Sequence, residues 1–152
     1  MFVAMSHMSR SENLPEGGEE VEIHLRWSDQ DSLGHVNNAR VVTLVEEARI
    51  RWSGRHGQSD LFPHGLVVAS MNLDYLRPVY YTSSVMVRVG VQRIGTKSFV
   101  VRHIGSQDGT PVFDGSNVMV ALAEDKLTPR ALNENERSWL SERLFQTKEA
   151  AR

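Results

Sequence analysis

Two carboxylates, Asp29 and Asp31, stand two residues apart just before a glycine, Gly34, and a predicted helix start. Three polar side chains follow at the first positions of that helix: His35, Asn37 and Asn38. A helix N-terminus favours negative charge, so a carboxylate beside it suits chemistry on a carbonyl or phosphoryl group. The same residue types also cap helices and form turns, so the pattern alone leaves both interpretations open.

Length and composition bound the class of protein. The 152 residues suffice for one domain with a substantial core, and 40% hydrophobic and 24% charged residues are ordinary for a soluble globular chain. A net charge of -2 gives no indication of a nucleic-acid surface, so any anion site must be local. The absence of cysteine excludes disulfides, thiolate zinc sites and thiol nucleophiles.

From the sequence we expect neither a signal peptide nor a membrane span. No apolar run approaches the roughly 20 residues that span a bilayer, and the N-terminal stretch lacks the sustained apolar region of a signal peptide. We therefore expect a cytoplasmic protein with no membrane span. Residues 1–20 are rich in Ser, Glu, Gly and Asn, which predicts a flexible tail ahead of a single domain over 21–148.

Hydrophobic periodicity predicts the elements that must position the polar segment. Strict alternation predicts a half-buried strand whose apolar side chains face one way: Val21, Ile23, Leu25 and Trp27. After the turn at 29–34, apolar residues recur at helical spacing and predict a helix of about five turns that ends near Gly54 to Gly57. The apolar stripe of this helix consists of Val41, Leu44, Val45, Ala48 and Trp52.

The rest of the chain reads as strands and one more helix. Four further strands are predicted over residues 66–76, 85–92, 97–104 and 112–123. Asn133 and Glu136 have capping-box spacing, which predicts a C-terminal helix through Leu144. The long helix can bury its stripe only against the face of a curved antiparallel sheet, so the fold class is α+β. The breadth of the sheet and the apolar helix also predict dimerisation through sheet edges.

Three other mechanisms fit the polar segment poorly. A calcium loop beginning at Asp29 would require ligands at the positions of Leu33 and Arg40. A phosphotransferase with an Asp-x-Asp nucleophile needs a continuous buried parallel strand before it, whereas residues 21–27 alternate. A Ser–His–Asp hydrolase of the elbow type would show Gly-x-Ser-x-Gly, which the sequence lacks.

Four stretches of the sequence carry a family resemblance by their order and spacing. They read RWSDQDSLGHVNN at residues 26–38, EEAR at 46–49, DYLRP at 74–78 and GTKSF at 95–99. With them, the chain resembles the hotdog-fold acyl-CoA thioesterases of the 4-hydroxybenzoyl-CoA thioesterase type, from about Val21 to Leu144. The resemblance implies a hotdog fold: a curved antiparallel sheet wrapped around a long central helix, with a short C-terminal helix. It also implies homodimers that usually pair into tetramers, with active sites between two subunits.

The resemblance assigns catalytic roles near the helix start. Asp31 matches the catalytic carboxylate, which would attack the thioester carbonyl or activate a water that does. Backbone N–H groups around Asn38 would hold the developing oxyanion. His35 is either a general acid or substrate donor, or a simple hydrogen-bond partner in the turn. Asp29 is expected to be structural.

The resemblance also implies where coenzyme A would bind. Lys97 and Ser98 match positions near its nucleotide end. Phosphates need cations or N–H donors, and Arg93 and Arg102 join Lys97 in a local basic cluster. Coenzyme A is part of the substrate, so no cofactor is expected, and the scattered histidines show no metal-ligand spacing.

Four residues of the long helix carry further expectations. Family members often have aromatic residues where this chain has Val41 and Leu44, which implies a wider or more aliphatic acyl pocket. Arg49 falls on the buried side of the helix, where a guanidinium requires a carboxylate. We therefore expect an ion pair with Glu46, one turn back.

The sequence thus predicts an acyl-CoA thioesterase that releases a free carboxylic acid and coenzyme A. Two contrasting functions stay open: a non-catalytic hotdog module that binds acyl groups or acyl-CoA, and a thioesterase acting on acyl carrier protein. A carboxylate at position 31 favours catalysis over binding. A carrier-protein partner would favour a broad basic patch, which the composition does not show.

Overall fold

The computed structural model describes residues 14–146, which form an antiparallel sheet and a small set of helices. In chain order the main elements are β1 (Glu19–His24), α1 (Asn38–Arg55), α2 (Gln58–Leu61), β2 (Leu66–Tyr75), β3 (Ser84–Ile94), β4 (Ser98–Gln107), β5 (Thr110–Ala121) and α3 (Glu134–Ser141). A short 3-10 helix over Trp27–Asp29 lies between β1 and α1. The predicted order of a strand, a long helix, four strands and a terminal helix is therefore present, with two short helical segments added.

The five strands form one sheet in the order β1-β3-β4-β5-β2, and every neighbouring pair is antiparallel. The first two strands of the chain, β1 and β2, thus lie at opposite edges of the sheet. Register shifts interrupt the ladders after Val68, after Val91 and after Gly105. Such irregularities bend strands, and the bent sheet curves around α1.

The core lies between α1 and the concave face of the sheet. The predicted stripe of α1 is buried throughout: Val41, Leu44, Val45, Ala48 and Trp52. On the sheet, alternate valines of β3 face the helix and are fully buried: Val85, Val87, Val89 and Val91. The periodicities read from the sequence for α1 and for β3 are therefore confirmed by burial.

The start of the sheet differs from the prediction. Residues 1–13 of the predicted tail lie outside the described residues, and β1 begins at Glu19. The alternation does not reach Trp27, whose side chain is 76% exposed, so its predicted inward orientation is wrong. The Asp29 carboxylate accepts the Arg26 N–H at 2.8 Å and closes a tight turn, which ends the two-residue period.

The C-terminal helix has the predicted capping box. The Asn133 side chain accepts the Glu136 N–H, and the Glu136 carboxylate accepts the Asn133 N–H, both at 2.8 Å. The helix ends at Ser141 rather than Leu144. The next residues leave helical geometry because Arg143 and Phe145 hydrogen-bond through their backbones to Val91 of β3.

The Glu136 carboxylate also holds Arg130 in a bidentate ion pair, with both N–O distances at 2.7 Å. Glu136 is fully buried, and burial alone would raise its pKa. The hydrogen bonds from Arg130 and from the Asn133 N–H together outweigh burial and bring the pKa below its ordinary value. This pair fixes α3 to the segment that follows β5.

Within residues 14–146, no helix has the length and apolarity needed to cross a membrane.

Candidate active site

Asp31 lies at the start of a tight loop between the 3-10 helix and α1. The Asp31 N–H donates to the His35 carbonyl at 2.7 Å, and the Gly34 N–H donates to the Asp31 carbonyl at 3.2 Å. Gly34 has φ +78°, a left-handed conformation that a side chain would strain. The glycine of the motif is therefore required by the loop geometry.

The Asp31 carboxylate is fixed by backbone donors of its own loop. Its Oδ1 accepts the Leu33 N–H at 2.9 Å and the His35 N–H at 3.2 Å. Oδ2 has no hydrogen-bond partner among residues 14–146, and the residue is exposed. The arrangement leaves one oriented carboxylate oxygen open to solvent.

Asp29 has a different environment from Asp31. Its side chain is buried, where one oxygen accepts the Arg26 N–H, and its carbonyl accepts the Asn37 N–H at 2.8 Å. These bonds tie the beginning of the loop to the beginning of α1. The placement agrees with the structural role expected of Asp29.

The first turn of α1 offers an unused donor. The Asn37 side chain caps the helix by accepting the Ala39 N–H at 2.8 Å. Among the described residues, the Asn38 N–H has no acceptor. This free N–H lies at the positive end of the helix dipole, three residues after His35, and can donate to a partially negative oxygen.

His35 and two tyrosines line the loop. The His35 ring meets the Tyr80 ring edge-on with centroids 5.1 Å apart, and the two residues form an isolated antiparallel bridge. The Tyr75 hydroxyl donates to the Asn38 carbonyl at 2.7 Å, which ties β2 to the start of α1. Burial raises the pKa of Tyr75, so its hydroxyl stays protonated as a donor.

Sequence reasoning did not place either tyrosine beside the Asp31 segment. Tyr75 belongs to the DYLRP stretch, which served only as a family marker. Its contact with the helix start depends on the path of β2 relative to α1, which one sequence does not show. The aromatic residues on either side of Arg77 and Pro78 were the available signal.

The predicted coenzyme A residues lie far from Asp31 in the same chain. Arg93, Lys97 and Ser98 surround the turn between β3 and β4, whereas the His35–Tyr80 bridge lies before the other end of β3. At about 3.3 Å per residue, the length of β3 separates the two groups by roughly 35 Å. A single chain therefore does not bring the two predicted groups together.

The sequence predicted that Arg102 contributes to a basic cluster for phosphate, but in the structure its side chain is already paired. Its guanidinium forms a bidentate ion pair with Asp114, at 3.0 and 2.7 Å. The cluster is thereby reduced to Arg93 and Lys97, both exposed near the hairpin. No group of His, Cys, Asp or Glu residues within the described chain is arranged to hold a metal ion.

The expected pair of Arg49 and Glu46 is present but loose. The nearest charged atoms are 3.9 Å apart; the Arg49 side chain is 13% exposed and that of Glu46 is 61% exposed. Burial lowers the pKa of Arg49, and the Glu46 charge acts in the opposite direction. Two other buried polar residues, His103 and Asn117, lie on strands β4 and β5.

Comparisons with known proteins extend this picture. The family model of the thioesterase superfamily matches residues 33–113. The chain is 31% identical over 121 residues to the long-chain acyl-CoA thioesterase FadM of Escherichia coli (strain K12), an alignment that covers 74% of this chain and 88% of FadM. It is 30% identical over 106 residues to the uncharacterized protein YsmA of Bacillus subtilis (strain 168), covering 68% of this chain and 72% of YsmA.

Two solved structures are similar in both fold and sequence. A thioesterase of Thermus thermophilus, complexed with coenzyme A and Zn, has a TM-score of 0.70 and 33% identity, and the match covers 81% of this chain and 92% of that one. A predicted thioesterase of Bacillus stearothermophilus has a TM-score of 0.71 and 30% identity, with 84% and 96% covered.

Proposed function

This chain belongs to the thioesterase superfamily, and on that premise we propose that it hydrolyses acyl-CoA through the Asp31 carboxylate. The chain is a thioester hydrolase with the hotdog fold that the sequence predicted. Coenzyme A as the thiol carrier is supported by the FadM relative and by the coenzyme A complex of the Thermus thermophilus protein. The observation that carries the proposal is the oriented, accessible Asp31 carboxylate in the loop that leads into α1.

The proposed reaction consumes one water and breaks one carbon–sulfur bond. As a general base, Asp31 takes a proton from a water whose oxygen attacks the thioester carbonyl. As a nucleophile, its free oxygen attacks directly and forms an anhydride, which water then hydrolyses. In both routes the carbonyl carbon gains the oxygen, the thiolate of coenzyme A leaves, and the thiolate takes up a proton.

The developing oxyanion needs donors that are already in place. We assign this role to the Asn38 N–H, because it is free among the described residues and belongs to the first turn of α1. The Tyr75 hydroxyl holds the Asn38 carbonyl and so restrains this turn. His35 is proposed as a donor to the substrate beside Asp31.

The distance between the Asp31 loop and the Lys97 hairpin supports an active site shared by two chains. The Asp31 loop and the hairpin around Lys97 lie at opposite ends of β3, so one chain cannot offer both to one coenzyme A. The outer edge of β2 pairs with no other strand in the described chain, and Val67 and Val68 are exposed there. We propose a homodimer in which two β2 edges meet antiparallel, which brings opposite ends of the two protomers together.

Replacement of Lys97 by alanine tests the coenzyme A assignment. We expect the KM for acyl-CoA to rise about fivefold with kcat little changed, since an exposed ion pair with a phosphate contributes about 1 kcal/mol. Steady-state kinetics of the purified variant provide the measurement. Lys126→Ala, at an exposed turn elsewhere, is the matched control. An unchanged KM for the Lys97 variant would remove this residue from the binding site.

The function itself is tested with a panel of acyl-CoA substrates of short, medium, long and aromatic acyl groups. We expect release of free thiol from at least one of them, with a matching amount of free acid. The Asp31→Asn variant, purified in the same way, controls for contaminating thioesterases. Binding of acyl-CoA without turnover would instead support the non-catalytic module, and turnover of acylated carrier protein alone would support the third function.

A further inference from the structure

The two flanks of α1 have different surroundings. On one flank, Arg51 and Arg55 reach β1, where they bond to Glu19 and to the carbonyls of Glu20 and Glu22. The other flank, called the outer flank below, consists of Val42, Glu46, Arg49 and Ser53, spaced at helical intervals. Because the first flank lies over β1, the outer flank is directed toward β4, β5 and the free edge of β2.

Beneath the outer flank lies a buried polar cluster whose hydrogen bonds are incomplete. Arg49 Nε, both ring nitrogens of His103 and Asn117 Oδ1 are buried with no partner among residues 14–146. Burial, and then the nearby Arg49 charge, lower the pKa of His103 to about 4, while the adjacent Asn117 side chain and the Asp114 charge act in the opposite direction, so its ring is neutral at pH 7. The nearby Asp114 carboxylate is held by Arg102, so the cluster contains the positive charge of Arg49 and no carboxylate of its own.

A buried guanidinium of this kind needs a close carboxylate. Glu46 of the same chain does not meet that need well, because its oxygen is 3.9 Å away and its side chain is mostly in solvent. Glu46 and Arg49 are three residues apart, which corresponds to about 4.5 Å along the helix axis. The two side chains thus form a short self-complementary charge pattern on the outer flank.

We propose that a second copy of this chain packs its outer flank against this one, so that Arg49 pairs with Glu46 of the partner subunit. A two-fold axis that crosses the helix flank midway between Glu46 and Arg49 makes the two helices antiparallel. The same ion pair then forms twice, once in each direction. Val42 provides the adjacent apolar contact on each side. This inference rests on the dimer of the proposed function and does not depend on thioester hydrolysis.

Neutralising Glu46 tests the pair with little risk to folding, because its side chain is largely exposed. Glu46→Gln should weaken the dimer at least about 100-fold, since both symmetric pairs are lost and Arg49 stays buried. Sedimentation equilibrium over a concentration series measures the dissociation constant. Glu47→Gln is the matched control, because Glu47 is the neighbouring glutamate and pairs with Arg51 within its own chain.

Mixing two charge-reversal variants of the chain distinguishes an ion pair between subunits from an ion pair within one subunit. Glu46→Lys and Arg49→Glu homodimers each place like charges opposite each other, so both should dissociate. A mixed dimer restores both intersubunit pairs, one in the original polarity and one reversed, and should form preferentially. Within each chain the like charges remain, so a pair confined to one chain would give no such preference.

The possible results distinguish failure of the intersubunit ion pair from failure of the dimer. Equal dissociation constants for the Glu46→Gln and Glu47→Gln variants would overturn the intersubunit pair while leaving the dimer in place. A monomeric wild-type protein would overturn both the dimer and the pair, whereas the acyl-CoA panel still decides hydrolysis. If the Arg49→Glu chain does not fold, the Glu46→Gln comparison with Glu47→Gln decides alone.

Discussion

Asp31→Asn should lower kcat about a thousandfold, because it removes the base or nucleophile and leaves the binding groups in place. Asparagine retains a side-chain oxygen that can accept the Leu33 and His35 N–H groups, so the loop should keep its conformation. Thiol release from the best acyl-CoA of the panel gives kcat and KM, and circular dichroism confirms folding. A variant that keeps more than a tenth of wild-type kcat would contradict the assignment of this carboxylate.

Isotope labelling of Asp31 distinguishes the general-base route from the nucleophilic route. In a single turnover in water labelled with heavy oxygen, a nucleophilic Asp31 acquires the label when water opens the anhydride at the aspartyl carbonyl. A general base never becomes labelled, because none of its oxygens is exchanged. Mass spectrometry of the peptide that contains Asp31 reports the outcome. Label in that peptide establishes the nucleophilic route, provided that the same treatment without acyl-CoA leaves it unlabelled.

Arg130→Ala should lower the free energy of unfolding by about 3 kcal/mol, because it leaves the fully buried Glu136 carboxylate without its bidentate partner. Chemical denaturation followed by circular dichroism measures the change. Arg137→Ala is the matched control, since Arg137 is an exposed arginine of α3 whose side chain bonds a carbonyl of Gly95. Equal stability of the two variants would show that the ion pair adds little.

The ion pair also predicts how stability varies with pH. The pKa of Glu136 is lowered in the folded protein, so its contribution is fully present above its unfolded pKa of about 4.5 and is lost as pH falls through the folded value. The wild-type free energy of unfolding should therefore decrease on acidification below about pH 4.5. In Arg130→Ala this decrease should be smaller, because the main group that lowers the pKa is absent.

Much of the fold follows from periodicity in the sequence. The apolar stripe of α1 and the alternating valines of β3 predict their own burial, because each pattern has only one face that can leave water. The capping box at Asn133 and Glu136 likewise depends on local spacing alone. Trp27 shows where this reasoning fails: alternation continues in the sequence after a side-chain bond has already turned the backbone.

The candidate site is only partly predictable, because some of its contacts are local in sequence and others depend on how distant strands pair. The loop around Asp31 is local, and its turn residues and helix cap could be read from the sequence. The contact of Tyr75 with the helix start and the distance between Asp31 and Lys97 are set by strand order and register. Those properties depend on pairing between distant segments, which the spacing of residues within one segment does not encode.

The bonds at both ends of the Asp31 loop have a consequence for how substrate preference could change. Asp29 ties the loop to Arg26 on one side and to Asn37 on the other, and within the loop Leu33 contributes its backbone N–H while its side chain is 76% exposed. Substitutions of the exposed Leu33 and Trp27 side chains can therefore change the surface of this segment without removing the backbone bonds that orient the carboxylate. Under the proposed function, the surface of this segment and the carboxylate that performs the chemistry would therefore involve different atoms of neighbouring residues, so one could change while the other is kept.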